Sequence, residues 1–597
     1  MKDKIIDLLN NICGEGFKAA GYEAECGRVN VSNRPDLCEY QCNGAMALAK
    51  REHRKPIDIA NEVVEKLQGN AAFAKVESCM PGFINMSVSG EFLASYMAEM
   101  LKDEAAGLIK TKEPKRIIVD YGGANVAKPL HVGHLRSAVI GESLKRIGAA
   151  LGNEMTGDVH LGDWGLQMGL IIEELKDRHQ TEFTLSDLEE IYPAASKKSK
   201  ETVSEDSDEL TEAALAFKAR ALKATAMLQS GDPECTAVWK RIMELSKADL
   251  KKNYDALNVH FELWKGESDV QKYIPDMLQS FIDKGIAYES KGALVVDVNE
   301  EGDSKELPPC IVRKSDGSSL YATTDLATLV ERELLYKPDA YVYVADKRQN
   351  LHYTSFFRVA RKAGIVGPDE GLSFLGFGTM NGKDGKPFKT RSGGVMRLEV
   401  LIKDICDSVY DKIRATRDES EVSDEEARQI SKIVGLAALK YGDLQNQAPK
   451  DYVFDVDRFT SFEGNTGPYI LYTIVRIGSI LGKCSKAELD AALDKDEAEI
   501  KKAILAAEEL PQVKALSLIL TRYNEIIPAA WEQLAPHKIC QFIYELSDAF
   551  NTFYHDVKIL TEEDETKKAG YICILQLTKR VLTDCIHMLG FDAPEKM

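Results

Sequence analysis

Apolar residues recur with a helical period over residues 2–13, 40–51 and 57–67, so three amphipathic helices are predicted at the start of the chain. Over 74–88 the pattern changes to the two-residue alternation of short strands, broken at Pro81-Gly82. A charged stretch at 110–116, with Pro114 in it, closes this first unit. Strand and helix then alternate. Arg116-Ile-Ile-Val-Asp-Tyr121 reads as a strand buried on both faces, Gly122-Gly123-Ala124-Asn125 as a tight turn, and 130–151 as a helix. Ala340-Tyr-Val-Tyr-Val-Ala345 is a second buried strand, 352–363 a helix, and 372–380 a third strand candidate. Such alternation predicts a parallel α/β sheet with its ligands at the carboxyl ends of the strands. A charged, mostly helical insertion occupies about 165–308, and everything beyond 404 reads as helix, with turns near Pro449, Pro511 and Pro536. The expected domains are an N-terminal α/β module (1–110), the interrupted parallel-sheet domain (111–403) and an all-α domain (404–597).

Length and composition narrow this picture. At 597 residues the chain exceeds what one hydrophobic core serves, and 44% hydrophobic with 29% charged residues is the balance of folded domains. The longest apolar stretch, 469–482, is too short for a membrane span and carries Arg476; the amino terminus lacks an apolar core for a signal peptide, so a cytoplasmic location is expected. The 12 cysteines form no disulfide framework. Cys38 and Cys42, four apart as on one helix face, have no second pair at zinc spacing, and no metal site is expected. A net charge of −19 opposes nucleic-acid binding over the whole surface, but leaves room for a specific RNA held by local basic patches such as 112–116, 197–200 and 247–252, each of which also reads as a solvated face.

The chemistry concentrates in Asn125-Val-Ala-Lys128-Pro-Leu-His131-Val-Gly133-His134-Leu-Arg-Ser137. It falls where a buried strand turns into a helix, and the free amides and dipole of a helix start favour phosphate there. Pro129 has no amide to satisfy in a first turn. His131 and His134, three apart, share a face, and Gly133 leaves room for a flat base or ribose. Two incidental histidines at a helix start are the bland alternative, made improbable by Lys128 and Gly133 beside them. Further on, Gly385-Lys386-Pro-Phe-Lys389-Thr390-Arg391-Ser392-Gly393-Gly394 is a glycine-bounded loop whose two lysines suit a closing phosphate clamp, although its first part alone reads as a solvated hairpin.

The histidine turn resembles the HIGH signature of class I aminoacyl-tRNA synthetases. With its flanks, and with His160-Leu-Gly162-Asp163-Trp164-Gly165-Leu-Gln167, the chain resembles arginyl-tRNA synthetases over most of its length. The loop at 385–394 stands where the family carries KMSKS, with Pro387-Phe388 in place of Met-Ser. The resemblance implies a Rossmann-like (HUP-type) catalytic domain with a helical insertion, an N-terminal additional domain touching the outer corner of tRNA, and a C-terminal anticodon-binding domain. It implies catalysis by His131, His134, Lys128 and Lys389, and ATP binding by Gly133, His131, His134, Lys386 and Lys389. Arginine would be held by Asp120, Asn125, Glu267, Tyr321, Asp325 and Gln349, with His352 in the same pocket segment. A guanidinium is best read by carboxylates accepting paired N–H bonds, which gives Asp325 and Glu267 their chemical sense. As bland readings, Asp325 serves as a helix cap and Glu267 as a solvated turn residue. The implied substrates are ATP, with Mg2+ carried on it rather than on the protein, L-arginine and tRNA(Arg). No membrane partner is expected, and the chain is expected to act as a monomer. The family also implies that tRNA binds before the adenylate forms. A synthetase for cysteine would need a zinc site that the sequence lacks; a non-catalytic paralogue would be expected to lose the histidines or lysines, which this chain keeps.

Overall fold

A computed structural model describes residues 3–203, 209–386 and 396–597 of the chain. It contains two compact units, one of Met1–Thr111, Phe462–His587 and Asp592–Met597, the other of Lys112–Ser461 and Met588–Phe591. The helices Leu398–Thr416 and Asp424–Leu444 fall in the second unit with the parallel sheet.

In the first unit Val29–Val31, Tyr40–Cys42, Phe83–Val88 and Phe73–Cys79 form an antiparallel sheet in that order. The predicted helix over 40–51 is therefore corrected. Tyr40 and Cys42 pair with Met86 and Ile84, and both are buried while Gln41 between them is not, so the local period is two. The helix is confined to Gly44–Ala49, and Cys38 and Cys42 share no helical face. The carboxyl-terminal part of this unit is helical, including Gly467–Lys483, Pro511–Thr521 and His537–Asp556. Phe550 and Phe553 are buried in it, while Tyr472 and Tyr554 are exposed.

The second unit is built on four parallel strands, β1 (Arg116–Asp120), β2 (Glu154–Asp158), β3 (Ala340–Asp346) and β4 (Gly371–Phe377), in the order β4-β3-β1-β2. Register places Asp120 of β1 beside Asp158 of β2 and Tyr343 of β3, so two carboxylates meet at the carboxyl edge of the sheet. Helix α1 (Val132–Ala150) follows β1, α2 (Tyr321–Leu335) precedes β3, and α3 (Asn350–Ala363) follows it. Ile118, Leu326, Tyr341, Phe356 and Val359 lie in one buried cluster around the sheet. Close approach of α1 to the chain after β1 depends on Gly141, where a Cβ would stand 2.2 Å from Tyr121 Cγ. The insertion contributes helices such as Leu185–Lys198 and Pro233–Ala256, and two strands, Ala287–Ser290 and Ala293–Val296, of a three-stranded antiparallel sheet that Cys310–Arg313 completes. No helix among the described residues is long and apolar enough to cross a membrane.

Candidate active site

The carboxyl edge of the sheet opens on a cavity of about 970 Å3 in the second unit. Asp120, Asn125, His131, Gly133, His134, Glu267, Tyr321, Asp325, Gln349 and His352 all line it. Residues drawn from points more than 200 positions apart thus converge on the place where an open α/β sheet binds ligands.

One end is the start of α1. His131 is the residue before the first helical turn, and its Nδ1 accepts the Gly133 N–H at 3.0 Å. His134 Nδ1 accepts the His131 N–H at 3.1 Å, so the two rings form a reciprocal cap 4.0 Å apart. A ring nitrogen that accepts carries no proton, which places the proton of each neutral imidazole on Nε2. Burial, then the neighbouring His131 and Lys128, holds the His134 ring neutral down to about 3, and His131 is lowered by burial and Lys128 as well. Glycine at 133 serves this cap directly, since a Cβ there would sit 2.8 Å from His131 Cε1.

Behind the histidines, Val132 N–H donates to Met396 O at 3.0 Å and Leu398 N–H to Leu130 O at 2.9 Å, so the chain leaving the second loop is paired to the turn. Lys128 lies with its ammonium 4.3 Å from the centre of the Tyr192 ring, on the insertion helix Leu185–Lys198, and does not line the cavity. Lys386 is exposed at the foot of the loop, its carbonyl accepting the Gly382 N–H at 2.8 Å. Lys389 lies outside the described residues.

The other end is acidic. Tyr321 opens α2 and is 75% exposed, a large aromatic standing on the cavity wall. One turn along, Asp325 Oδ2 lies 2.6 Å from His352 Nε2 of α3. Glu267 sits across from them in the turn Gly266-Glu267-Ser268. Burial, with Asp163 and Asp325 adding to it against the pull of His160, raises its carboxyl to about 7. Asn125 bridges to Gly162, where a Cβ would come within 2.2 Å of Asn125 Oδ1.

Two charged groups at the carboxyl edge of the sheet were given no role by the sequence. Arg332, 1% exposed in the middle of α2, donates from Nη2 to Asp120 Oδ2 at 2.5 Å and to Asp158 Oδ2 at 2.6 Å. Asp120 is therefore shared with a buried guanidinium. His160, at φ 31° in the left-handed region, lines the cavity with its Nδ1 3.8 Å from Asp158 Oδ2. Burial opposes its charge, but Asp158 and Asp120 outweigh this and raise it to about 9. The run around His160 marks it in the sequence; an arginine within Glu331-Arg332-Glu333 reads there as a solvated helix face.

A parallel sheet with a histidine-capped helix start at its carboxyl edge is the architecture of a class I aminoacyl-tRNA synthetase. The family model described as the catalytic domain of class I tRNA synthetases (R) matches residues 96–456. Models for the arginyl tRNA synthetase N-terminal domain and the DALR anticodon binding domain match 1–88 and 470–597. The chain is 54% identical to an arginine–tRNA ligase of Agathobacter rectalis over 100% of both chains. It is 50% identical to one of Alkaliphilus oremlandii over 99% of this chain and 100% of the relative. The arginyl-tRNA synthetase structure from Plasmodium falciparum shares the fold at a TM-score of 0.81 and 23% identity, covering 100% of this chain and 99% of that one. The chain belongs to the arginyl-tRNA synthetase family.

Proposed function

We propose that the chain, a ligase by family, activates L-arginine with ATP and transfers it to the 3′ end of tRNA(Arg), releasing AMP and pyrophosphate. The observation that carries this reading is the acidic end of the cavity. Glu267 and Asp325 face one space beside Tyr321, and Glu267 is raised to about 7, the mark of a buried carboxyl that lacks a cation. A guanidinium supplies that cation with planar donors, whereas a neutral side chain leaves Glu267 without one, so no second hydrolytic site is required for accuracy. Asp120 and Asn125 receive the ammonium and carboxylate of the amino acid, Asp120 through the oxygen not engaged by Arg332. Gln349 closes the pocket from the start of α3.

A carboxylate oxygen of arginine then bonds to the α-phosphorus of ATP while the bond to the bridging oxygen breaks, and pyrophosphate leaves with that electron pair. The two Nε2–H groups donate to phosphate oxygens as charge builds on them, and Gly133 lines the same end. Lys128, Lys386 and Lys389 add positive charge around the leaving group, an electrostatic role rather than a covalent one. In the second step a ribose hydroxyl of the terminal adenosine attacks the arginyl carbonyl carbon, the bond from that carbon to the adenylate phosphate oxygen breaks, AMP leaves with the electron pair and the hydroxyl proton passes to solvent. Mg2+ enters on the triphosphate. The helical part of the first unit, matched by the anticodon-domain model, reads the tRNA. A monomer working in the cytoplasm fits this role.

The test is ATP–pyrophosphate exchange with each amino acid, with and without tRNA(Arg). Exchange with L-arginine in the presence of tRNA is expected; exchange driven by cysteine or methionine in its place would overturn the reading.

A further inference from the structure

The turn that bears Glu267 is fixed from several directions. Glu267 N–H donates to Leu161 O at 3.1 Å, its own carbonyl accepts from Gln271 Nε2 at 2.7 Å, and Leu161 N–H donates to Lys265 O at 2.7 Å. Asp269 Oδ2 accepts the Gly266 N–H at 3.0 Å, and a further hold comes from Asp163, which is 1% exposed and does not line the cavity. Its Oδ1 accepts the Ser268 N–H at 3.0 Å and its Oδ2 the Ser268 hydroxyl at 2.6 Å. Residue 266 is glycine because a Cβ there would lie 2.7 Å from the same Oδ1. Asp163 is itself anchored, its carbonyl accepting the Trp239 Nε1–H at 3.0 Å, with the Trp164 and Trp239 rings edge to face 5.3 Å apart.

Neither oxygen of Asp163 has a cationic partner among the described residues; both are spent on one serine. A buried carboxylate is a costly way to hold a turn that an amide would also hold. Its charge is felt by His160 and by Glu267, and it adds negative potential behind Glu267, where a guanidinium gains from it. We propose that Asp163 is a positioning residue for arginine selection, clamping Ser268 so that Glu267 is held where the guanidinium must lie. This rests on Glu267 being a guanidinium carboxylate, and it extends the pocket to a residue that never meets the substrate.

The experiment is tRNA-dependent ATP–pyrophosphate exchange on the full chain carrying Ser268→Ala, Asp163→Asn, Glu267→Gln, or either of the first two combined with Glu267→Gln, with melting temperatures recorded alongside. Ser268→Ala removes one hydrogen bond and leaves the charge; Asp163→Asn keeps an acceptor for the Ser268 N–H and removes the charge. Each single variant is expected to raise KM for arginine by about tenfold, with KM for ATP within about twofold, in the range that coupled neighbours show. In the Glu267→Gln background neither is expected to add more than about twofold, because no carboxylate is left to place. Effects that multiply in the double variants, or KM values for arginine and ATP that rise together, would make Asp163 a scaffold residue and overturn the proposal. An unchanged arginine KM in Glu267→Gln alone would instead overturn the guanidinium reading. Should Asp163→Asn fold poorly, Ser268→Ala and its double variant carry the same comparison.

Discussion

His131 and His134 each commit Nδ1 to a backbone N–H, which leaves Nε2 as the donor that faces the cavity end. Because His134 stays neutral down to about 3, no ionisation of His134 should appear in the rate between pH 6 and 9. Replacing His134 by alanine removes both cap and donor, and single-turnover adenylate formation is expected to fall by about a hundredfold or more while tRNA affinity holds. Glu267 sets a different pH dependence. Its folded carboxyl is raised from 4.5 to about 7, so the folded chain holds a proton there that the unfolded chain releases between those values. The stability this group contributes is present below about pH 4.5 and lost as pH rises through 7. Glu267→Gln is therefore expected to raise the melting temperature at pH 8 more than at pH 5, even as it weakens arginine binding. Arginine binding to the native chain at pH 7 should release protons, giving calorimetric heats that differ between buffers of different ionisation enthalpy.

Helix α1 is held to its neighbours by charge buried with its partner. Arg136, 2% exposed, donates from Nε to Asp443 Oδ2 at 3.0 Å and from Nη1 to Gly378 O at 2.8 Å and Lys450 O at 3.1 Å. One guanidinium thus connects the helix of the two histidines, the chain leaving β4 and the helix Asp424–Leu444. Asp443→Ala leaves that cation without its counter-charge, and chemical denaturation should show a loss of about 3–5 kcal/mol. The half-exposed Lys347–Asp451 pair at 2.8 Å is the control; its removal should cost below about 1 kcal/mol. At this scale the pattern of apolar positions served well, since β1, β3, α1 and α3 end within a few residues of their predicted limits. It failed at Tyr40–Cys42, where a three-residue strand is too short for period two to stand out from period 3.6.

Over the whole molecule, the amino-terminal module and the carboxyl-terminal helices form one unit although some 350 residues of chain separate them. Lys514 Nζ donates to Val88 O at 3.0 Å and is ion-paired with Glu39, while Ile109 N–H donates to Asn524 Oδ1 at 2.9 Å. Within this unit Glu508 is 7% exposed, and the Ser517 hydroxyl and Lys514 only partly offset its burial. Burial raises it to about 8, so its contribution is full below about pH 4.5 and lost as pH passes 8. The melting transition of this unit should fall between about pH 5 and 8 and level off above, and Glu508→Gln should flatten that fall in calorimetry. An unchanged slope would show that the proton sits elsewhere.

The alternation of strand and helix, the turn that begins at Asn125 and the spacing of His131 and His134 are local properties, set by neighbours within a few residues, and sequence alone determines them. So is the chemical sense of a carboxylate pair for a guanidinium, once a resemblance names which carboxylates to consider. Where those carboxylates meet is not local. Glu267 and Asp325 come to one cavity because β1, β2 and β3 pair in a given register and the insertion returns across the sheet edge. Arg332 under Asp120 has no signature along the chain, since an arginine on a helix is ordinarily solvated, and the run that contains Asp163 does not by itself place it behind Glu267. Only tertiary packing removes water from them, and with it the option of leaving their charges unmatched.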